Sequence, residues 1–143
     1  MSCHFQALPK KPLEVADAIA GRLRELGWTE ENDIDQFTLA IQEGLVNAAK
    51  HGNRYDSHKK VTVEVNLTHD EAWVTISDEG KGFDQNKVPD PTTQEGLLET
   101  HGRGVLIMGQ YAELEIIPNQ GKIILHRKRI QETKKDQDAA DHF

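Results

Sequence analysis

The chain has 143 residues, of which 36% are apolar and 29% charged, and its formal net charge at pH 7 is −7. This length suits one domain with a real hydrophobic core, and the charge argues against a broad basic surface for nucleic acids. No apolar run is long enough to predict a membrane span, and the N-terminus lacks a secretory-signal pattern. A single cysteine, Cys3, excludes an intramolecular disulfide framework. We therefore expect a cytoplasmic protein whose partners are small molecules or other proteins.

The first half of the chain predicts one short strand and two amphipathic helices. Residues 4–8 predict a short edge strand. Apolar residues then recur at helical spacing over 13–26, and Gly27 is a typical residue for ending such a helix. After a polar turn, the same period returns over 37–48, and glycine and asparagine at 51–53 predict the end of this second helix.

The second half of the chain predicts two hairpins separated by a loop and a helix. Residues 61–67 and 72–77 alternate between apolar and polar side chains, which is typical of half-buried strands. A short helix is predicted over 103–111, and two further strands over 114–117 and 122–127.

This order of elements predicts an α+β two-layer sandwich. About three helices would cover one face of a mixed, mostly antiparallel sheet. We place a single domain at residues 1–127, and we expect the charged residues 128–143 to form a flexible tail.

Three polar residues of the second predicted helix lie on one stripe. Glu43, Asn47 and His51 are spaced i, i+4 and i+8, beside the apolar face. A carboxylate and a carboxamide one turn apart supply hard oxygen ligands and a general base. The pair suits Mg²⁺, which takes one or two protein oxygens together with substrate phosphates. The same spacing is also found on ordinary solvated helix edges, so both interpretations stay open.

A glycine-rich segment directly follows the strand over 72–77. Asp78 shares the parity of Ile76, so its side chain is expected to point toward the core layer, where a carboxylate needs a hydrogen-bond donor. An adenine amino group is one such donor, and a lysine or a backbone amide would also serve. Gly80 and Gly82 would let a flat ligand approach the backbone closely. The alternative is a glycine-rich β-turn with a solvent-facing aspartate.

Two glycines, Gly102 and Gly104, open the third predicted helix. Exposed amides and the helix dipole at such a position both favour an anion. The full G-x-G-x-x-G spacing is missing, and so is the Walker pattern G-x-x-x-x-G-K-[ST]. Other histidines occur singly among polar neighbours and are expected at the surface: His4, His58, His69, His126 and His142.

Taken in order, these motifs resemble a known family. The series E-x-x-x-N-A-x-x-H-G from Glu43, D-x-G-x-G-F from Asp78 and G-x-G from Gly102 is similar to the ATP-binding (Bergerat) domain of histidine kinases, gyrase-type topoisomerases, Hsp90 and MutL. The resemblance covers roughly residues 5–127. Within the superfamily, residues 39–52 look most like the stand-alone anti-sigma-factor serine/threonine kinases of bacterial partner-switching systems.

The resemblance implies a role for each motif. Asn47 would coordinate Mg²⁺, Glu43 would orient or deprotonate the attacking hydroxyl, and Asp78 would recognise the adenine amino group. A lid over residues 89–101 would cover the phosphates. The implied nucleotide-binding set further includes Lys50, His51, Gly80, Gly82, Phe83, His101, Gly102, Arg103, Gly104 and Val105.

The function implied by the resemblance is transfer of the ATP γ-phosphate to a serine or threonine of an antagonist protein. A sigma factor and a second copy of the chain would be further partners. Two alternatives remain: a nucleotide-gated binding module with little turnover, and the catalytic half of a split histidine kinase. A complete sensor kinase is disfavoured, because no histidine starts a predicted helix with an acidic residue after it.

Overall fold

The computed structural model describes residues 2–6, 11–52, 59–80, 103–117 and 120–130 of the chain. A π-helical turn over Ala48–Gly52 continues the second helix. The elements, in chain order, are β1 (Ser2–Gln6), α1 (Lys11–Glu25), α2 (Glu31–Asn47), β2 (Lys60–Leu67), β3 (Glu71–Ser77), α3 (Arg103–Tyr111), β4 (Glu113–Ile117) and β5 (Lys122–Lys128).

The strands form one five-stranded sheet in the order β1-β2-β3-β5-β4. Every pair of neighbours among them is antiparallel. β3 and β4 run in the same direction, but they do not pair, because β5 lies between them and is antiparallel to both. The predicted α+β sandwich is confirmed, and the described part of the sheet is antiparallel throughout.

Strand register places the apolar side chains on the face that the helices cover. Val63 pairs with Ile76, and Val74 pairs with both Val65 and Leu125, so their side chains share one face. These five side chains are buried. The three helices and Trp28 pack against this face in the same core, and its largest fully buried side chains include Trp28, Phe37, Ile19, Leu23, Ile41 and Leu45.

Helix α1 ends at Glu25, and Gly27 forms the turn that closes it, as predicted. This residue has φ of +97°, a conformation that favours glycine. The amide of Gly27 donates to the carbonyl of Arg24 and the amide of Trp28 to that of Leu23, which is the Schellman arrangement of a helix C-terminus. The turn orients Trp28 into the core, where its Nε1 donates to the carbonyl of Thr68 at 2.9 Å.

The other predicted boundaries differ in detail. The first strand spans Ser2–Gln6 instead of 4–8, and residues 7–8 lie outside the described part of the chain. Strand β5 includes Lys128, and the predicted tail lies outside the described residues from 131 onward. Among the helices that the structure describes, none has the length and apolar character needed to cross a lipid bilayer.

Candidate functional site

The C-terminal end of α2 meets the N-terminal end of α3 at Gly104. A Cβ atom added to Gly104 would lie 2.9 Å from Glu43 Oε2, 3.1 Å from Asn47 Nδ2 and 3.2 Å from Asn47 Oδ1. A side chain at position 104 would therefore occupy the space into which Glu43 and Asn47 point. The structure thus brings together two motifs that are about sixty residues apart in the sequence.

Asn47 carries an unpartnered polar atom at this junction. Its Nδ2 is buried and has no hydrogen-bond partner among the described residues. A buried unpaired donor costs about 1–3 kcal/mol, and a bound ligand would remove that cost. Rotation of the carboxamide exchanges Nδ2 and Oδ1, so the same side chain can offer an oxygen to a metal ion.

The end of α2 departs from the predicted regular helix. The α-helical segment stops at Asn47, and Ala48–Gly52 forms a π-helical turn. Hydrogen bonds in a π-helix run from i to i+5 instead of i to i+4. The stripe expected from Glu43 through Asn47 to His51 stays a prediction, because only the backbone of His51 is described, and Lys50 is exposed on this turn.

The second corner of the candidate site lies at Asp78, directly after the end of β3 at Ser77. The amide of Gly80 donates to Asp78 Oδ1 at 2.7 Å, and the amide of Asp78 donates to the carbonyl of Gly121 at 2.8 Å. Gly121 has φ of +60°, and a Cβ atom there would overlap Asp78 Oδ1 and lie 2.9 Å from the Gly80 carbonyl. The turn between β4 and β5 thus closes against the carboxylate.

Burial raises the pKa of the Asp78 carboxyl above its usual range, while the hydrogen bond from Gly80 and the positive charge of Lys59 act against the increase. A partly buried carboxyl with a perturbed pKa is a typical feature of a functional site. A hydrogen-bond donor supplied by a ligand would stabilise the charged form of the Asp78 carboxyl.

The two corners lie at the same end of the sandwich. A Cβ atom at Gly44 would lie 2.8 Å from Ile76 Cδ1, so α2 crosses β3 only two residues before Asp78. Gly44 directly follows Glu43 in α2. One small ligand could therefore face the aspartate at one end and the Glu43–Asn47 junction at the other.

Several predicted site residues are only partly described or lie outside the described part of the chain. Val105 is 2% exposed, and its side chain packs in the hydrophobic core. For His51 and Arg103 only the backbone is described. Outside the described residues lie Gly82, Phe83, His101, Gly102 and the lid over 89–101.

Sequence reasoning missed Gly121 and misplaced His126. The signal that could have identified Gly121 is a glycine directly before the strand predicted over 122–127. His126 was expected at the surface, but it is 6% exposed and stacks on Trp73 at 3.7 Å between ring centroids. The two rings meet because Trp73 and His126 are register partners on the sheet face opposite the helices. His126 Nδ1 also lies 3.0 Å from Glu113 Oε2, and this hydrogen bond lowers the pKa of Glu113.

The structure is thus an α+β sandwich with a carboxylate, a carboxamide and a glycine at a helix junction, near a half-buried aspartate. The family described as histidine kinase-like ATPase domain matches residues 5–128. The chain therefore belongs to the histidine kinase-like ATPase domain family. Membership in a family of ATPase domains implies that the chain binds ATP.

The chain is similar to named relatives and to a solved structure. It is 27% identical over 139 residues to the anti-sigma F factor of Oceanobacillus iheyensis, covering 94% of each chain. It is 30% identical over 80 residues to the serine-protein kinase RsbW of Listeria innocua, covering 54% of this chain and 50% of that one. The histidine kinase domain of a blue-light-activated histidine kinase of Erythrobacter litoralis matches with a TM-score of 0.52 at 17% identity, over 80% of this chain and 58% of that chain. This last likeness shows the fold.

Proposed function

We propose that the chain is an ATP-dependent serine/threonine-protein kinase of the anti-sigma-factor type. Its substrate would be a small antagonist protein in a partner-switching regulatory system. The observation that carries the proposal is the position of Glu43, whose carboxylate lies beside Asn47 and the opening of α3. The names of the relatives, anti-sigma F factor and serine-protein kinase, support the same function.

The proposed transfer requires only one proton acceptor from the protein. The hydroxyl oxygen of the acceptor serine or threonine attacks the γ-phosphorus of ATP, a new P–O bond forms, and the bond to the β,γ-bridging oxygen breaks to release ADP. The hydroxyl proton passes to the Glu43 carboxylate, which fits the role of a general base. Positioning and charge neutralisation supply most of the remaining acceleration in phosphoryl transfer.

The residues at the junction fit Mg²⁺ together with ATP phosphates. Asn47 can offer one hard oxygen, and Mg²⁺ usually binds through few protein ligands because phosphates and water complete its shell. When bound, the ion would neutralise charge on the phosphates. The backbone amides at the start of α3, including that of Val105, would then face an anion at a helix N-terminus.

The adenine half of the site would be formed by Asp78. Its Oδ1 already accepts the Gly80 amide, so Oδ2 would accept the adenine amino group. The partners of the proposed kinase are the antagonist protein, a sigma factor and a second copy of the chain. We propose that it acts in the cytoplasm.

The proposal is tested with γ-labelled ATP and candidate antagonist proteins encoded near this chain. We expect label on a serine or threonine, and a decrease in transfer rate of about 100-fold or more in Glu43→Gln, because a general base contributes about 10²–10⁴-fold. The dissociation constant for ATP should change by less than about threefold in that variant, since the helix and Asp78 are untouched.

Asp35→Asn is the matched control, because it removes the same charge from an exposed position of the same helix. It should leave transfer unchanged. Undiminished transfer in Glu43→Gln would contradict the proposed base. Nucleotide-dependent capture of a partner without any phosphorylated product would instead support a nucleotide-gated binding module, and an acid-labile phosphohistidine would support a split histidine kinase.

A further inference from the structure

At the opposite end of α2 and α3, a single arginine joins both helices. Arg127 Nε donates to Asp33 Oδ1 at 2.6 Å and Nη2 donates to Gln36 Oε1 at 2.9 Å, both at the start of α2. Its Nη1 donates to the carbonyl of Tyr111, the last residue of α3, at 2.6 Å. The other oxygen of Asp33, Oδ2, accepts the amide of Ile130 at 2.8 Å. The planar guanidinium thus contacts two helices with all three of its nitrogens.

This cluster is buried, and its charges are paired. The side chain of Asp33 is 1% exposed and that of Arg127 is 13% exposed. Buried ion pairs add little net stability, because desolvation offsets their attraction. Their geometry is nevertheless restrictive, since the rigid fork of an arginine accepts few arrangements of its partners.

The contacts along α2 and α3 show that the two helices are antiparallel. Position 104 lies against Glu43 and Asn47, while Tyr111 lies against the guanidinium that also holds Asp33. Helix α3 has nine residues and is therefore about 13 Å long. A short regular helix moves as one body, so a displacement at its C-terminus is transmitted to its N-terminus.

We propose that Arg127 is a positioning residue for the phosphate half of the nucleotide site. It holds α3 in register along α2, so that Gly104 stays against Glu43 and Asn47 and the first amides of α3 stay aimed at the phosphates. The proposal rests on the proposed function, because it takes the junction at Gly104 as the phosphate side of an ATP site. The adenine corner at Asp78 is built from β3 and the β4–β5 turn, and it does not depend on α3 in the described contacts.

The test compares ATP with adenosine, which lacks phosphates, in Arg127→Met. This change keeps the apolar stem and removes all three donors. We expect the dissociation constant for ATP, measured by calorimetry, to rise at least about tenfold. That for adenosine, measured by ligand-observed NMR, should change by less than about twofold. Arg129→Met is the control, because Arg129 bonds the carbonyl of His69 and neither α2 nor α3; both constants should stay unchanged in it.

A merely structural role would weaken both ligands by the same factor, since it would only lower the folded fraction. Equal weakening of ATP and adenosine, or no change in either, would overturn the proposal. If Arg127→Met does not fold, Arg127→Lys serves instead, because one ammonium cannot hold Asp33 and the Tyr111 carbonyl in the same fork. The ratio of the ATP constant to the adenosine constant should rise in this variant as well. Failure of the unaltered chain to bind ATP would contradict the proposed function itself.

Discussion

At the scale of single residues, the absence of a side chain at Gly104 matters as much as the presence of Glu43. In Gly104→Ala, the new methyl would lie 2.9 Å from Glu43 Oε2. The Glu43 carboxylate would move aside at little cost in stability, because it is the end of a flexible side chain. The methyl would also lie 3.1 Å from Asn47 Nδ2 and 3.2 Å from Asn47 Oδ1, and it would displace this proposed ligand of Mg²⁺ and of the ATP phosphates. We expect the affinity for ATP to fall about tenfold or more, equivalent to about 1.4 kcal/mol, while the melting temperature is kept or raised.

Gly109→Ala is the matched control for this prediction, because it lies on the same helix and its Cβ would meet nothing within 4 Å. It should gain up to about 1 kcal/mol of stability from helix propensity and leave ATP binding unchanged. Calorimetry of binding and thermal unfolding of both variants provide the measurements. Unaltered ATP binding in Gly104→Ala would show that the junction is not the phosphate side.

The carboxyl of Asp78 gives a prediction with a defined pH dependence. Burial raises its pKa in the folded protein, so the folded state binds more protons than the unfolded chain between the two pKa values. Stability therefore decreases as pH rises through that window, which begins at about 3.9, the ordinary aspartate pKa. Asp78→Asn should unfold at a higher temperature than the unaltered chain at pH 7, and the difference should shrink as pH falls toward about 4.

The same substitution should weaken ATP binding by about 10- to 100-fold, because a hydrogen bond to a charged group contributes about 1.5–3 kcal/mol. A gain in stability together with a loss of ATP binding would show that the Asp78 carboxylate lowers the stability of the fold but contributes to ligand binding. Asp17→Asn, at an exposed position of α1, is expected to change neither quantity. A stability difference that grows on acidification would contradict the assigned cause.

At the scale of elements, α2 positions the site because it approaches the sheet closely. A Cβ atom at Gly44 would lie 2.8 Å from Ile76 Cδ1, 3.1 Å from Ile123 Cδ1 and 3.2 Å from Met108 Sδ, so either these side chains of β3, β5 and α3 or the helix itself would have to shift. We expect Gly44→Ala to lose about 1–3 kcal/mol of unfolding free energy through overpacking. Urea denaturation followed by circular dichroism measures this loss.

The control for this prediction is Gly21→Ala on α1, where an added Cβ meets nothing within 4 Å. It should be stabilising by about 0.5–1 kcal/mol, since alanine is the better helix former. A loss of stability in Gly44→Ala together with a gain in Gly21→Ala would distinguish the effect of close packing from that of helix propensity. Equal stabilisation at both positions would mean that α2 does not approach the sheet as described.

At the scale of the whole molecule, one hydrophobic core joins the three helices to the sheet. Residues of α1, α2, α3, β2, β3 and β5 belong to a single buried cluster. We therefore expect one cooperative unfolding transition, as is usual for small single domains. In Trp73→Phe, which removes the exposed tryptophan, the fluorescence of the buried Trp28 and the far-UV circular dichroism should give the same urea midpoint.

Separate midpoints for these two probes would show that α1, against which Trp28 packs, unfolds independently of the sheet. In a single transition, the free energy of unfolding should decrease by about 1–3 kcal/mol per molar urea, as is usual for small proteins. Trp73 is the suitable residue to replace, because it is 41% exposed and its ring covers only the outer face of the sheet at His126.

Much of this fold could be predicted because local periodicity follows from which face of an element is buried. The period of α1 and α2 and the alternation of β2 and β3 are direct consequences of one apolar face. The end of α2 could not be predicted in this way, because a π-helical turn depends on how the last turn packs and not on the composition of Ala48–Gly52. The burial of His126 could not be predicted from the local sequence either, because Trp73, which covers it, lies more than fifty residues earlier in the chain.

For the site, the sequence by itself determined which residues are candidates: the pair Glu43 and Asn47, the aspartate directly after β3, and the glycine at the start of α3. These features are local, because each depends on a few consecutive residues. Only the tertiary structure decided that Gly104 lies against that pair, that Gly121 closes on Asp78, and that Arg127 joins the far ends of α2 and α3. Such contacts depend on helix packing and strand order, which bring together residues distant in the chain, and no local pattern records them.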